Sequence, residues 1–168
     1  MKIEPTLIPI ENAQLNQGAN IQDGARLDVS ARGVWSTMDR VFFDIRVTHP
    51  NTQSNFQKPT SQIYREHERE KKNKYNQRVI DIEKGTFTPL VFTTSGGMAP
   101  ECERLNKRLA ELLAAKRNER YADVIAYIRK RLRFSLLKAT LIAIRGYRGP
   151  QNRRTPVDLS DVAFNLTY

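Results

Sequence analysis

The chain has 168 residues, 39% of them hydrophobic and 27% charged, which suits one globular domain with a sizeable core and leaves too little for two. It has no apolar run near the ~20 residues that a membrane-spanning helix needs, and its single cysteine and two histidines exclude a disulfide and a Cys- or His-rich metal site. The net charge of +10 is concentrated in residues 101–154, where 15 Lys and Arg outnumber 5 Asp and Glu, so the expected partner is a polyanion, nucleic acid before an anionic membrane surface.

The first predicted elements are extended. Residues 2–10 form a short strand that two prolines interrupt, which is typical of a sheet edge, and a polar loop rich in Asn, Gln and Gly follows. Two runs with strand character, 25–35 and 40–49, are joined by the short polar stretch 36–39, which predicts a β-hairpin. In the second run the alternation of polar and apolar residues places Asp44, Arg46 and Thr48 on one face.

The rest of the chain is mostly helical. The pattern predicts a long helix over 60–83 ended by Gly85, a buried strand over 86–94, helices over 101–117 and 121–145 with Gly146 as the last cap, and a basic, turn-rich tail over 147–168. Apolar residues recur at helical spacing in the last two helices, so both are expected to face the core along their length. The prediction is one α/β domain over residues 1–146, with a central mixed sheet of about four strands flanked by helices.

Two aspartates interrupt the predicted hairpin strands. Asp28 and Asp44 lie within LDVSARGVW and VFFDIRV, although aspartate is disfavoured inside strands. Mg²⁺ takes oxygen ligands and keeps several waters, so one or two carboxylates suffice to hold it. The pair therefore predicts a site for Mg²⁺, or for Mn²⁺. The alternative for either aspartate alone is a solvated strand face or a pairing with Arg32 or Arg46.

One face of the helix over 60–83 has an unusual composition. Residues at steps of three or four share this face, which is apolar or aromatic at its ends and cationic at its centre; they are Tyr64, His67 or Glu68, Lys71, Tyr75, Arg78 and Ile82. Buried cations need anionic partners, which the aspartates or a substrate phosphate would supply. The alternative is a solvated, charged helix face, and the same alternative applies to the basic C-terminal stretch.

These residues resemble the PD-(D/E)XK nucleases, which share a restriction-endonuclease-like fold. In that family a Pro-Asp on one strand and an Asp/Glu-x-Lys on the next bind metal and steady the attacking water. Leu27-Asp28 corresponds to the first motif, with Leu27 in place of proline, and Asp44-Ile45-Arg46 to the second, with Arg46 in place of lysine. Because an arginine cannot give up a proton, Arg46 could stabilise the pentacovalent phosphate and could not act as a base.

The endonuclease domains of site-specific non-LTR retrotransposons are a closer likeness. They resemble this chain in having an aspartate on each of two strands and a Lys/Tyr pair on the following helix, for which YREHEREKKNKYNQRV offers Lys71, or Lys74, with Tyr75. The blocks GARLDVSARG, FFDIRVTHP, YREHEREKK and FTPLVFTTSGGM also resemble C-terminal regions of retroelement-derived reading frames in animal genomes, over residues 4–148. In such chains a further helix usually precedes the first strand, so this chain is expected to lack it.

The resemblance implies magnesium-dependent hydrolysis of DNA phosphodiester bonds. The implied roles are metal ligation by Asp28 and Asp44, orientation of water or neutralisation of phosphate by Lys71, phosphate contact by Arg46 and Tyr75, and support of the metal shell by His67. Glu68 would add a third carboxylate only if the helix rotated to present it. The residues expected on the DNA backbone are Lys74, Arg78, Arg148, Arg153 and Arg154.

Two other functional classes compete with the nuclease. The first is a catalytically inactive nucleic-acid-binding module on the same fold, which the loss of the strand lysine and of the upstream helix favours. The second is a structural domain whose basic face binds an acidic protein, for which the sequence offers no positive feature. The N-terminus lacks a secretory signal, so an intracellular location is expected, and a nuclear one for a retroelement-derived protein.

Overall fold

The strands form a single mixed sheet, as predicted. The structure is a computed structural model that describes residues 1–10 and 14–148, with the backbone alone for residues 143–148. In chain order the elements are β1 (Lys2–Ile3), β2 (Val29–Arg32), β3 (Arg40–Thr48), α1 (Thr60–Asp81), β4 (Thr86–Thr93), α2 (Pro100–Arg117) and α3 (Tyr121–Arg148). The sheet order is β1-β2-β3-β4, and this α/β architecture confirms the predicted fold class at its coarse level.

The predicted hairpin is formed by β2 and β3. They pair antiparallel, with Val29 opposite Phe43 and Arg32 opposite Arg40, and Gly33 at φ +76° begins the turn. The first hairpin strand is shorter than predicted, because residues 25–28 leave the regular ladder. Their backbone bonds mainly to the N-terminal segment, where Leu7 N–H donates to Ala25 O at 2.8 Å, while Asp28 N–H still donates to Phe43 O on β3.

Helix α1 connects β3 to β4, which run parallel. Parallel neighbours need such a crossover, and the helix packs on one face of the sheet. One core cluster forms there, from apolar residues of α1, of both strands and of the N-terminal segment; its members include Leu7, Leu27, Phe42, Tyr75, Val79 and Phe87. Phe42 and Phe87 are partners in the β3–β4 register, so the core lies at the start of both strands.

Helix α2 covers the opposite face. Cys102 and Leu105 pack there with Val41, Phe43 and Leu90, and burial raises the pKa of the Cys102 thiol to about 12. Beyond α2 the chain turns at Asn118, whose backbone is left-handed at φ 54°, and α3 then packs on α2. The α2–α3 contact is small, since its buried residues are Ala110, Val124 and Ile125.

The second half of α3 leaves the domain. Leu132 and Leu136 are half-buried, while Phe134 and Leu137 are 70% and 55% exposed. The prediction that this helix faces the core along its length is therefore wrong after about Ile128, because the apolar α2–α3 contact ends there and α3, with 28 residues against the 18 of α2, extends past its neighbour. The helix also continues past the predicted cap at Gly146 to Arg148. Among the described residues, no helix is long and apolar enough to span a membrane.

Candidate functional site

The polar face of β3 lies against one face of α1. Side chains two residues apart on the strand meet side chains three or four residues apart on the helix, as the two periodicities require. From the end of the strand inward, the contacts are Thr48 Oγ1 with His67 Nε2 at 3.3 Å, Arg46 Nη1 with Glu70 Oε2 at 2.5 Å, and Asp44 Oδ2 with Lys71 Nζ at 2.5 Å. The face predicted from the alternation in β3 is confirmed.

Among the charged residues in these contacts between β3 and α1, Asp44 is the most buried. Its side chain is 9% exposed, and burial of a carboxylate is costly unless a cation accompanies it. Lys71 supplies that cation, but the contact lacks hydrogen-bond geometry, and Oδ2 accepts no hydrogen bond from the described part of the chain. A buried carboxylate oxygen with this unused capacity could ligate a cation.

Asp28 lies beside Asp44 at the end of the hairpin. The register of Val29 with Phe43 brings Asp28, one residue before β2, next to Asp44 on β3. Its N–H donates to the Phe43 carbonyl at 3.1 Å, and its carboxylate Oδ2 accepts the N–H of Ile45 at 2.5 Å. The carboxylate thus takes the place of a backbone acceptor for the Ile45 N–H of β3. This structural role does not depend on metal binding.

The register places two carboxylates on neighbouring strands, a donor set of the kind that a sparsely ligated Mg²⁺ uses and a closed metal cage does not. Within residues 1–10 and 14–148, no three His, Cys, Asp or Glu side chains lie close enough together to hold a metal ion. Mg²⁺ is commonly bound through one or two carboxylates and several waters, so this donor set is chemically adequate. Lys71 lies against the same oxygen and would have to move aside for a cation there.

His67, Arg46 and Glu70 form a charge cluster next to this pair. Burial lowers the pKa of His67, and the Arg46 guanidinium lowers it further, while Glu70 opposes both. Partial burial acts to raise the pKa of Glu70, but the hydrogen bond and charge of Arg46, with His67, lower it overall. At neutral pH the cluster therefore holds a neutral imidazole and an Arg46–Glu70 ion pair.

The next stripe of α1 faces α2. Glu68 is 9% exposed, and its Oε1 accepts the N–H of Glu101 at 3.1 Å, at the N-terminus of α2. Burial raises the pKa of Glu68, which the Glu101 hydrogen bond partly offsets. Lys72 pairs with the Glu101 carboxylate at 2.6 Å. Glu68 therefore binds a helix end in this structure and is not a third carboxylate beside Asp44.

Tyr75 is a core residue. It is 6% exposed and its ring packs against Phe87, with the ring centroids 5.7 Å apart. The ammonium groups of Lys71 and Lys74 lie 5.9 and 5.2 Å from its ring centroid, within cation–π range. The burial of Tyr75 gives no support to its predicted phosphate contact, whereas the exposed Lys74 remains available to a nucleic acid.

The prediction that Arg78 contacts nucleic acid is wrong. Its side chain is 0% exposed, and its guanidinium donates to three backbone carbonyls of the N-terminal segment, those of Ile8, Asn20 and Gln22, each at 2.9 Å. It is a structural arginine that fastens this segment to α1. Of the other predicted DNA contacts, the side chain of Arg148 and the whole of Arg153 and Arg154 lie outside the described residues.

Comparison of the chain with protein-family models, with curated proteins and with solved structures gave no match. The chemistry of the site therefore follows from its own contacts. Among these, Glu70 is the residue that sequence reasoning missed. It follows His67 by three positions, so helical spacing alone is a signal that places it on the same face of α1.

Proposed function

We propose that this chain is a magnesium-dependent endonuclease that hydrolyses phosphodiester bonds of DNA, on a fold of the restriction-endonuclease type. The observation that carries the proposal is the Asp44–Lys71 pair, a buried carboxylate whose Oδ2 meets the ammonium of a helix lysine. Asp28 on the neighbouring strand supplies the second carboxylate. This is the combination that hydrolysis of a phosphodiester needs, oxygen ligands for a hard cation and a positive charge for the phosphate.

Asp28 and Asp44 would hold the magnesium ion. When bound, Mg²⁺ supplies a Lewis acid that withdraws charge from a phosphate oxygen and lowers the pKa of water. Asp28 already has Oδ2 committed to the N–H of Ile45, which fixes the orientation of the carboxylate and leaves Oδ1 for the cation. Asp44 contributes the oxygen that the ladder does not use.

Lys71 would neutralise the phosphate or orient the attacking water. Its ammonium is 2.5 Å from Asp44 and would leave that carboxylate when a cation binds there. The Tyr75 ring next to it offers a second, cation–π contact that keeps the ammonium near the site after this displacement. Arg46 is one-third exposed, so it can still direct part of its guanidinium to a phosphate while Glu70 holds the rest.

A catalytically inactive nucleic-acid-binding module is the second candidate. The observation in its favour is that both cations nearest to the aspartates have protein carboxylates as partners, Lys71 with Asp44 and Arg46 with Glu70. Such an arrangement is stable without metal or substrate. For either candidate, the likeness to retroelement-derived reading frames favours DNA as the nucleic acid bound and the nucleus as the location.

A plasmid-nicking assay with Mg²⁺ or Mn²⁺ separates the two candidates. The wild type should convert supercoiled plasmid to the open circular form, and Asp44→Ala should not. Asp39→Ala is the matched control, since Asp39 is an exposed aspartate in the turn of the same hairpin. If the wild type is inactive with both metals and binds DNA, the chain is a catalytically inactive nucleic-acid-binding module.

A further inference from the structure

A cleft of about 220 Å³ lies between the loop after β4 and helix α3, away from the aspartates. The loop contributes Gly96 and Gly97, and α3 contributes Arg129 and Arg133. The two arginines are four residues apart, so they lie on the same face of the helix. Neither forms an ion pair with the described residues, and both are exposed. The cleft therefore presents two unneutralised guanidinium groups side by side.

The loop opposite the arginines contributes two glycines and Met98 to the lining of the cleft. Gly96 has φ +88°, and a Cβ added there would meet Arg133 Cγ at 3.7 Å, in the direction of the cleft. Gly97 lies so close to α1 that a Cβ would be 2.3 Å from Tyr64 Oη. The Gly96 N–H donates to the Thr93 carbonyl and the Gly97 N–H donates to Thr93 Oγ1. These hydrogen bonds hold the loop without using either arginine. At these two positions the loop therefore has no side chain that would reduce the space of the cleft.

The loop wall of the cleft meets helix α1 at Tyr64, while the other walls are formed by α2 and α3. Tyr64, which touches the loop at Gly97, shares a helix face with His67 and Lys71. Tyr64 and Lys71 are seven residues apart, about 10 Å along the helix axis at 1.5 Å per residue. Through Tyr64, the loop wall of the cleft is therefore connected to the helix that carries Lys71.

We propose that this cleft binds a backbone phosphate of the DNA on which the candidate site acts. The inference rests on the proposed function for its substrate and names Arg129 and Arg133 as the binding residues. Guanidinium groups bind phosphate oxygens in pairs of charge-assisted hydrogen bonds, and two of them four residues apart can share one phosphate. Because a phosphate carries no sequence information, the cleft positions DNA without reading its bases.

Glu103 allows a test in which the direction of the change in DNA affinity is predicted. This exposed carboxylate also lines the cleft, where it repels a phosphate. Neutralising it should strengthen binding if an anion occupies the cleft. A cleft that took a cation or a basic peptide would respond in the opposite direction.

The experiment measures binding of a short fluorescein-labelled DNA duplex of mixed sequence by anisotropy, with the full chain in EDTA, over a salt series. Arg129→Gln with Arg133→Gln should weaken binding about tenfold and flatten the slope of log affinity against log salt by about 0.9, the value for one lost phosphate contact. Glu103→Gln should tighten binding. The matched control is Arg131→Gln with Lys138→Gln, the same charge change on the opposite side of α3, which should change both quantities much less.

Equal losses from the two double variants would overturn the proposal, because the charge would then act diffusely. So would weaker or unchanged binding by Glu103→Gln, and so would a dependence on Arg129 and Arg133 seen with phosphatidylserine vesicles and absent with DNA. All substituted residues are exposed, so melting temperatures should match the wild type. The binding assay contains no divalent metal, so it does not depend on cleavage. A protein that binds DNA through the cleft but is inactive in the plasmid-nicking assay would contradict the proposed function alone.

Discussion

Lys71 Nζ lies 2.5 Å from Asp44 Oδ2, so helix α1 supplies the cation that lies next to this aspartate of β3. Arg46, two residues beyond Asp44, has the position that a lysine would have in the Asp/Glu-x-Lys pattern, but Glu70 holds it. The cation next to the aspartate therefore comes from another element.

Asp44→Asn should abolish metal-dependent cleavage of DNA and leave DNA binding largely intact. The substitution keeps the size of the side chain and removes the charge that a cation needs, while the basic surfaces stay unchanged. Plasmid nicking and fluorescence anisotropy measure the two properties separately. Asp39→Asn is the control for the loss of one negative charge from the hairpin. Cleavage by Asp44→Asn at the wild-type rate would show that this carboxylate does not ligate the metal.

Two substitutions of Asp28 should separate its structural task from metal ligation. Asp28→Ala leaves the Ile45 N–H without its acceptor, at a cost of about 1 kcal/mol in the free energy of unfolding, whereas the amide oxygen of Asp28→Asn can still accept this hydrogen bond. Both should abolish cleavage, because neither side chain can replace a carboxylate ligand. Urea titration gives the stability and plasmid nicking the activity. An active Asp28→Asn would reduce Asp28 to its structural task.

Lys71→Ala should reduce turnover far more than Lys72→Ala. The two lysines are adjacent in sequence and point about 100° apart on the helix. Lys71 meets Asp44, while Lys72 meets Glu101 at the start of α2. Lys71→Ala also leaves Asp44 buried and unpaired, so a rate per folded molecule must be measured, with circular dichroism as the check on folding. Equal effects on turnover would mean that the helix acts as a diffuse positive surface.

Arg78→Ala should destabilise the fold by about 3–5 kcal/mol, because it removes a large buried side chain and leaves three backbone carbonyls without a donor. Lys74→Ala, on the exposed side of the same helix, should change stability by less than about 0.5 kcal/mol. Chemical denaturation measures both. A loss of DNA affinity by folded Arg78→Ala with unchanged stability would restore the nucleic-acid contact that its burial contradicts.

Local periodicity was enough to predict the face of β3, because a strand alternates its side chains regardless of what covers it. It also predicted that the cations on one face of α1 need anionic partners, and Lys71 has such a partner in Asp44. The same reasoning failed for Arg78, since its three acceptors are backbone carbonyls of residues 56 to 70 positions away, and a backbone carbonyl has no signature in sequence. Hydrophobic periodicity in α3 likewise continues beyond Ile128, but the pattern does not tell where the covering helix ends.

His67 should make the fold sensitive to mild acid. Its pKa in the folded protein lies below the ordinary value of 6.5, because burial and the neighbouring Arg46 disfavour the charged imidazole. The unfolded chain therefore binds a proton more readily than the folded one, so this contribution to stability is present above about pH 6.5 and is lost as the pH falls below it. Glu70, whose pKa is lowered from 4.5, loses its own contribution only at more acidic pH. The two effects can be resolved because they occupy different pH ranges.

The measurement is the free energy of unfolding from urea titrations between about pH 7.5 and about pH 5.5, a window that covers the imidazole and leaves Glu70 ionised. The wild type should lose stability across this window, and His67→Gln should lose less, because glutamine takes no proton. His49→Gln is the control, since His49 is exposed in the loop after β3. A slope for His67→Gln as steep as that of the wild type would mean that another group carries the acid sensitivity, and that the imidazole is not held neutral between Thr48 and Glu70.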